Sequence, residues 1–370
     1  MKPHYPILDG LRGTAAILVV IFHLMEGFYP ELPKHPMHHG YLAVDFFYLL
    51  SGFVVGYAYD DRWAKGMTVK QFFKIRAIRL HPLVILGTII GAICFWFDPY
   101  KDMQVINIGK FIAVILFGFT LLPAPLDVRG WGETHPLDGP CWSLMQEYLA
   151  NILYAIVGRK LNKPALWTLV IISATVLTIV SVDHGDVGTG WGYGKIQSRF
   201  IADFFYGPNS GGYPNVLVAP VRMMFPFFAG LLLFRTGKLI RIRMAYTVCS
   251  LLLAGLFFFP WYSWNGYFDA ACIIFAFPVI VAAGAGGQIS GRWAKLCKFS
   301  GEISYPIYII HYPFIYIYTF WIAKAKPAPE TVLLIAIGLF SLFMVLAYAA
   351  LKLYDEPVRA WLKKKYLTAG

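Results

Sequence analysis

Charge is scarce in this chain. Of its 370 residues only 14% are Asp, Glu, Lys or Arg, where ordinary soluble domains carry about a quarter. That shortage argues against a soluble globular protein. Cysteine is sparse too: Cys94, Cys141, Cys249, Cys272 and Cys297 sit in or beside apolar runs without paired spacing. A disulfide framework or a CxxC site is therefore not expected. There is no internal repeat, no low-complexity tract and no hydrophilic stretch large enough for a separate soluble core. The first apolar run carries Arg12 and His23 and lacks a small-residue cleavage pattern after it, so a cleavable signal peptide is not expected. The net charge of +12 lies between apolar runs, where it sets topology rather than marking a nucleic-acid surface.

What remains is apolar. Hydrophobic residues make up 58% of the chain and aromatics 17%. Eleven hydrophobic segments run through 14–29, 41–59, 80–98, 108–125, 141–159, 165–183, 216–235, 245–263, 267–287, 304–324 and 330–353, most of them about the length of a membrane span. The sequence thus predicts an all-α polytopic membrane protein with a single domain over 1–370. If all eleven crossed with the N-terminus inside, basic residues would favour the outer loops. If one segment before residue 141 fails to cross, the inner loops hold 23 Lys and Arg and the outer loops 8, as the positive-inside rule requires. Ten crossings follow, with both termini cytoplasmic and 108–125 re-entrant or lying on the outer surface. Residues 183–215 become a long extracytoplasmic loop. Residues 354–370, with Lys363, Lys364 and Lys365, become a basic cytoplasmic tail suited to anionic lipid.

Ionisable residues inside such spans are costly, and they usually face the protein interior or a pathway. Arg12 and His23 lie on the first span about 16 Å apart along one helix, the arginine near the cytoplasmic face and the imidazole in the outer half. Taken singly, each has a plain alternative: a snorkelling topology charge and a hydrogen-bonded packing residue. Asp45 opens the second span at the depth of His23, either as its carboxylate partner or as a helix cap. Glu147, in Trp142-Ser143-Leu144-Met145-Gln146-Glu147, falls at a similar depth; its alternative is an interhelical polar contact. Tyr305 and His311 share the span that also holds Pro306 and Pro313, whose missing N–H groups free backbone carbonyls. Arg76 and Arg79, one helical turn apart, form an RxxR at the cytoplasmic mouth that suits phosphate. His35, His38 and His39 lack cysteine partners and zinc-like spacing, so no metal site is expected. Cys141 as an acyl-relay nucleophile finds no other support.

Several of these stretches occur together and in order: LDGLRG with Arg12 and His23, AVDFFYLLSGF around Asp45 and Ser51, RAIRLHP with Arg76 and Arg79, WSLMQEY with Trp142, Ser143 and Glu147, SYPIYIIHYP with Tyr305 and His311, and YDEPVR at 354–359. As an ordered set spanning the chain they resemble the acyltransferase 3 family of integral membrane acyltransferases. The resemblance implies about ten membrane helices in a bacterial inner membrane. It also implies transfer of an acyl group, usually acetyl, from cytosolic acyl-CoA to a hydroxyl of an extracytoplasmic carbohydrate or glycolipid. His23 is then similar to the family's catalytic histidine, with Arg12 its partner in the same motif and Arg76 and Arg79 its cytoplasmic RxxR. The His81-Pro82 pair departs slightly, since relatives often carry an aromatic residue before the proline. Some members bear an extra SGNH hydrolase-like domain. None follows here before Gly370, so the membrane domain is expected to reach the acceptor itself.

On this reading the arginines hold the CoA phosphates and the pantetheine arm threads towards His23. His23 acts as general base on the acceptor hydroxyl, with Asp45 or Glu147 orienting it. Direct attack and a covalent acyl-enzyme stay open. The rival from another class is a proton-coupled transporter or flippase built on the same buried ionisable residues, disfavoured because no two halves of the chain mirror each other. A silent scaffold in polysaccharide assembly is a third reading.

Overall fold

The computed structural model describes residues 4–100, 107–126, 128–129, 133–184 and 218–367. The expected outer loop at 183–215 falls almost wholly outside them, as do its aromatic residues from Trp191 to Tyr213. Among the described residues the chain is helical and contains no strand. Its helices are α1 Pro6–Glu26, α2 Ala43–Ala64, α3 Val69–Trp96, α4 Ile108–Thr120, α5 Cys141–Ile156 and α6 Lys163–His184. Then follow α7 Val218–Thr236, α8 Ala245–Phe257, α9 Asn265–Gly286, α10 Gly291–Ile310, α11 Tyr312–Ala325 and α12 Pro329–Tyr366. Six of these (α1, α2 with its preceding turn, α3, α6, α9 and α12) are long and apolar enough to cross a membrane. With the shorter apolar helices they make the multi-pass all-α membrane protein expected from composition.

Small residues decide which helices meet. In lipid there is little hydrophobic gain from helix–helix contact, so close backbone approach and interhelical polar bonds carry the association. The glycines of LDGLRG serve this end: a Cβ at Gly13 would stand 2.4 Å from the Cβ of Ser300, so α1 lies directly on α10. The second motif glycine does the same for α2 and α7. A Cβ at Gly52 would fall 1.8 Å from the Phe227 carbonyl oxygen, and one at Gly230 would fall 2.0 Å from that of Leu49. A stretch that reads as a chemical motif is thus in part a packing motif.

Several segments differ from expectation. The run 304–324 is two helices, α10 and α11, which meet at His311. Pro313 in the first turn of α11 cannot donate to a preceding carbonyl, which favours the break there. Most of the stretch between the expected segments 267–287 and 304–324 is helical rather than a loop, since α10 starts at Gly291. The C-terminal tail is helical as well: α12 passes through a π-helical turn at Ala350–Asp355 and continues to Tyr366. Pairs at one-turn spacing, Lys352–Glu356 and Asp355–Arg359 at 2.9 Å, support that extension. At 38 residues, about 57 Å of helix, α12 outruns a hydrocarbon core of about 30 Å, so its lysine-rich end projects beyond it. The helix α4, with 13 residues, is about 20 Å long, shorter than that core; α8, at 13 residues, is equally short although 245–263 was expected to cross.

Candidate active site

Two polar clusters lie at opposite ends of α1. The first is at its start. Arg12 pairs with Asp9 one turn before it. Arg12 and Arg76 both lie within electrostatic range of Arg79, so the three arginines named from sequence do converge. Helix α3 delivers two of them. It begins with a capping box in which Thr68 Oγ1 accepts from the Gln71 N–H at 3.2 Å and Gln71 Oε1 accepts from the Thr68 N–H at 2.8 Å, which sets the phase of the helix from its first turn. Tyr305 steadies the same helix by donating its hydroxyl to the Leu80 carbonyl at 2.6 Å.

Arg76 is only 5% exposed; its Nη2 donates to Glu147 Oε1 at 2.7 Å, and Ser51 Oγ donates to the same oxygen at 3.1 Å. Arg79 by contrast is exposed. Within the RxxR, then, one arginine is tied into the wall by Glu147 and the other is exposed.

The second cluster is at the end of α1. His23 Nδ1 lies 2.5 Å from Glu26 Oε2, three residues along the same helix. A carboxylate accepts from Nδ1, and in the neutral imidazole that tautomer leaves Nε2 as an acceptor. The His311 ring lies 5.5 Å from that of His23, centroid to centroid, tilted by 31°, and the Tyr312 ring meets His23 edge-on at 4.8 Å. His311 is fully buried, its Nδ1 donating to the Ile307 carbonyl at 2.8 Å and its Nε2 without a partner. His35 closes the other side: its Nε2 donates to the Phe22 carbonyl at 3.1 Å, and its Nδ1 accepts from the Met37 N–H at 3.0 Å. Burial pushes the His35 imidazole below its ordinary range, in keeping with that neutral tautomer.

These contacts correct two expectations. Asp45 does not orient His23, nor does it cap α2, whose N-cap is Leu42. It is fully buried against Arg222 of α7, with Nε at 2.9 Å from one carboxylate oxygen and Nη2 at 2.6 Å from the other. Trp142 faces that guanidinium at 5.8 Å. Glu147 does not orient His23 either, because it is engaged by Arg76 and Ser51 nearer the arginine end. Neither the partner of Asp45 nor the depth of Glu147 was readable from its own span.

The remaining residues fall between or beside the clusters. Ser143 Oγ sits 2.7 Å from the Tyr308 hydroxyl and so ties α5 to α10 between the two ends. The three loop histidines have separate partners: His38 donates to the Leu32 carbonyl at 2.9 Å, and His39 faces Asp269 at 3.0 Å. The Cys141 thiol donates to Asp138 Oδ2 at 3.1 Å. Burial pushes that carboxyl up to about 8, which makes it a poor base at neutral pH and leaves the thiol without activation. Sequence reasoning missed Glu26 and Arg222. Both left a signal: a carboxylate one turn after His23, and a lone arginine inside an apolar run.

The chain is similar to known acyltransferases. Residues 5–352 match the family model described as an acyltransferase domain. Protein 2 in the picA locus of Rhizobium radiobacter is 33% identical over 48% of this chain and 94% of its own length. The acyltransferase MdmB of Streptomyces mycarofaciens is 27% identical over 83% of this chain and 78% of its own. The peptidoglycan O-acetyltransferase OatA of Listeria monocytogenes is 21% identical over 97% of this chain, which spans 56% of that relative. No solved structure matches. With a family model covering nearly its full length, this chain belongs to the acyltransferase 3 family of membrane acyltransferases.

Proposed function

We propose that this protein is an O-acyltransferase of a bacterial inner membrane that takes an acyl group, acetyl foremost, from cytosolic acyl-CoA. The acceptor is a hydroxyl of an extracytoplasmic carbohydrate or glycolipid. The observation that carries the reading is the division of α1 between an arginine cluster at one end and the His23–Glu26 pair at the other. Cations suit the phosphates of CoA, and Arg79 is the exposed member of the three. The axial distance from Arg12 to His23, about 16 Å, suits the extended pantetheine arm, which would bring the thioester to the imidazole.

There His23 Nε2 takes the proton of the acceptor hydroxyl as its oxygen attacks the thioester carbonyl. The C–S bond breaks as the tetrahedral intermediate collapses, and the imidazolium returns the proton to the departing CoA thiolate. Glu26 holds the other ring nitrogen and favours the imidazolium while it exists. The products are an ester and free CoA, with no covalent enzyme intermediate. The transporter reading is weaker, because Asp45, which it needs as an open proton carrier, is closed by Arg222.

The test is CoA release from acetyl-CoA by the purified protein, comparing wild type with Arg79→Gln. KM for the donor is expected to rise by roughly tenfold, the worth of one lost charge-assisted bond, with kcat little changed. An unchanged KM, or no turnover by the wild type with any glycan acceptor, would overturn the assignment of the arginine end.

A further inference from the structure

His23 and His311 present the same unusual state side by side. On each ring Nδ1 carries the proton, fixed by Glu26 on His23 and by the Ile307 carbonyl on His311. In the neutral form of each ring Nε2 is then an acceptor, and that of His311 is buried without a hydrogen-bond partner. The rings stand 5.5 Å apart and are only 31° from parallel. A buried acceptor without a donor is costly, and His311 is fully buried, on a break between two helices where a purely packing residue would not need to be polar. Around it the Phe343 ring lies at 6.2 Å and the Tyr312 ring at 5.9 Å between centroids, and neither is hydrogen-bonded to its Nε2.

Two adjacent bare acceptors call for a ligand with two adjacent donors. We propose that the acceptor is bound as a vicinal diol of a sugar ring, one hydroxyl donating to His23 Nε2 and its neighbour donating to His311 Nε2. This rests on the reading of His23 as general base. It adds that His311 binds the hydroxyl that is not acylated and so selects which position is modified. A single alcohol leaves His311 unpaired. A site built to satisfy a hydroxyl discriminates strongly against the analogue without it, because its own polar group is then stranded.

The experiment measures acetyl transfer from acetyl-CoA to a panel of methyl pyranosides, each with its monodeoxy counterparts. For wild type, removing the hydroxyl next to the acylated one is expected to lower kcat/KM on the order of 10–100-fold. In His311→Phe that preference collapses to near parity. In His311→Gln, whose amide oxygen can accept from a similar position, part of it survives, which a merely structural role would not give. The proposal is overturned if wild type uses diols and their deoxy partners equally, if no diol stimulates CoA release above the hydrolytic background, or if His311→Phe slows all acceptors alike with the preference intact. Failure of the underlying reading shows separately, as CoA release that persists in His23→Ala.

Discussion

Replacing Glu26 by glutamine is expected to lower acyl transfer by roughly 10²–10⁴-fold, the range for losing correctly poised general-base catalysis. The amide can offer Nδ1 an N–H as well as an oxygen, so it no longer fixes the tautomer that leaves Nε2 free, and it does not stabilise the imidazolium. His23→Ala is expected to lose at least as much. The double variant should be no worse than the more damaging single one, because groups that act as a unit are strongly non-additive. Donor KM is expected to stay near wild type in all three, since the arginine cluster is untouched. Steady-state kinetics in detergent check both points. A Glu26→Gln enzyme with wild-type kcat would remove Glu26 from the mechanism.

The second large effect concerns folding. Asp45 and Arg222 are fully buried and joined by bonds of 2.6 and 2.9 Å. Removing one partner strands the other charge inside the bundle, a loss of about 3–5 kcal/mol. Arg222→Leu should therefore sharply reduce the folded protein recovered from membranes and its thermal midpoint. Adding Asp45→Leu to Arg222→Leu should restore much of the loss, because a buried ion pair is often replaceable by apolar residues of similar volume. Monodisperse recovery by size-exclusion chromatography checks this. If Arg222→Leu folds as well as wild type, the pair is not holding α2 to α7.

The two effects also show where sequence reading reaches its limit. The apolar run of α1, the distance from Arg12 to His23 and the pairing of Arg76 with Arg79 follow from helical periodicity and local spacing, and the structure agrees with each. Asp45 was legible as a buried carboxylate at the depth of His23, but its partner lies 177 positions away. A single span does not identify the neighbouring helix. Glu147 failed in depth as well, since Arg76 and Ser51 hold it nearer the arginine end than His23. Glu26 was missed although it lies on the same helix as its partner, because attention to buried carboxylates passes over one at the mouth of a span. The meeting of His311 with His23 depends on the break before Pro313, and no spacing rule sets the angle of such a break.

The most direct test of the two-ended site is a sidedness measurement in sealed proteoliposomes with the protein inserted in one orientation. Acetyl-CoA is confined to one face and a glycan acceptor to the other. The account predicts acetyl on the acceptor only when the donor is on the face bearing Arg79 and the acceptor is on the face bearing His23. Transfer that requires donor and acceptor on the same face, or that accepts acetyl-CoA from the His23 side, would contradict it.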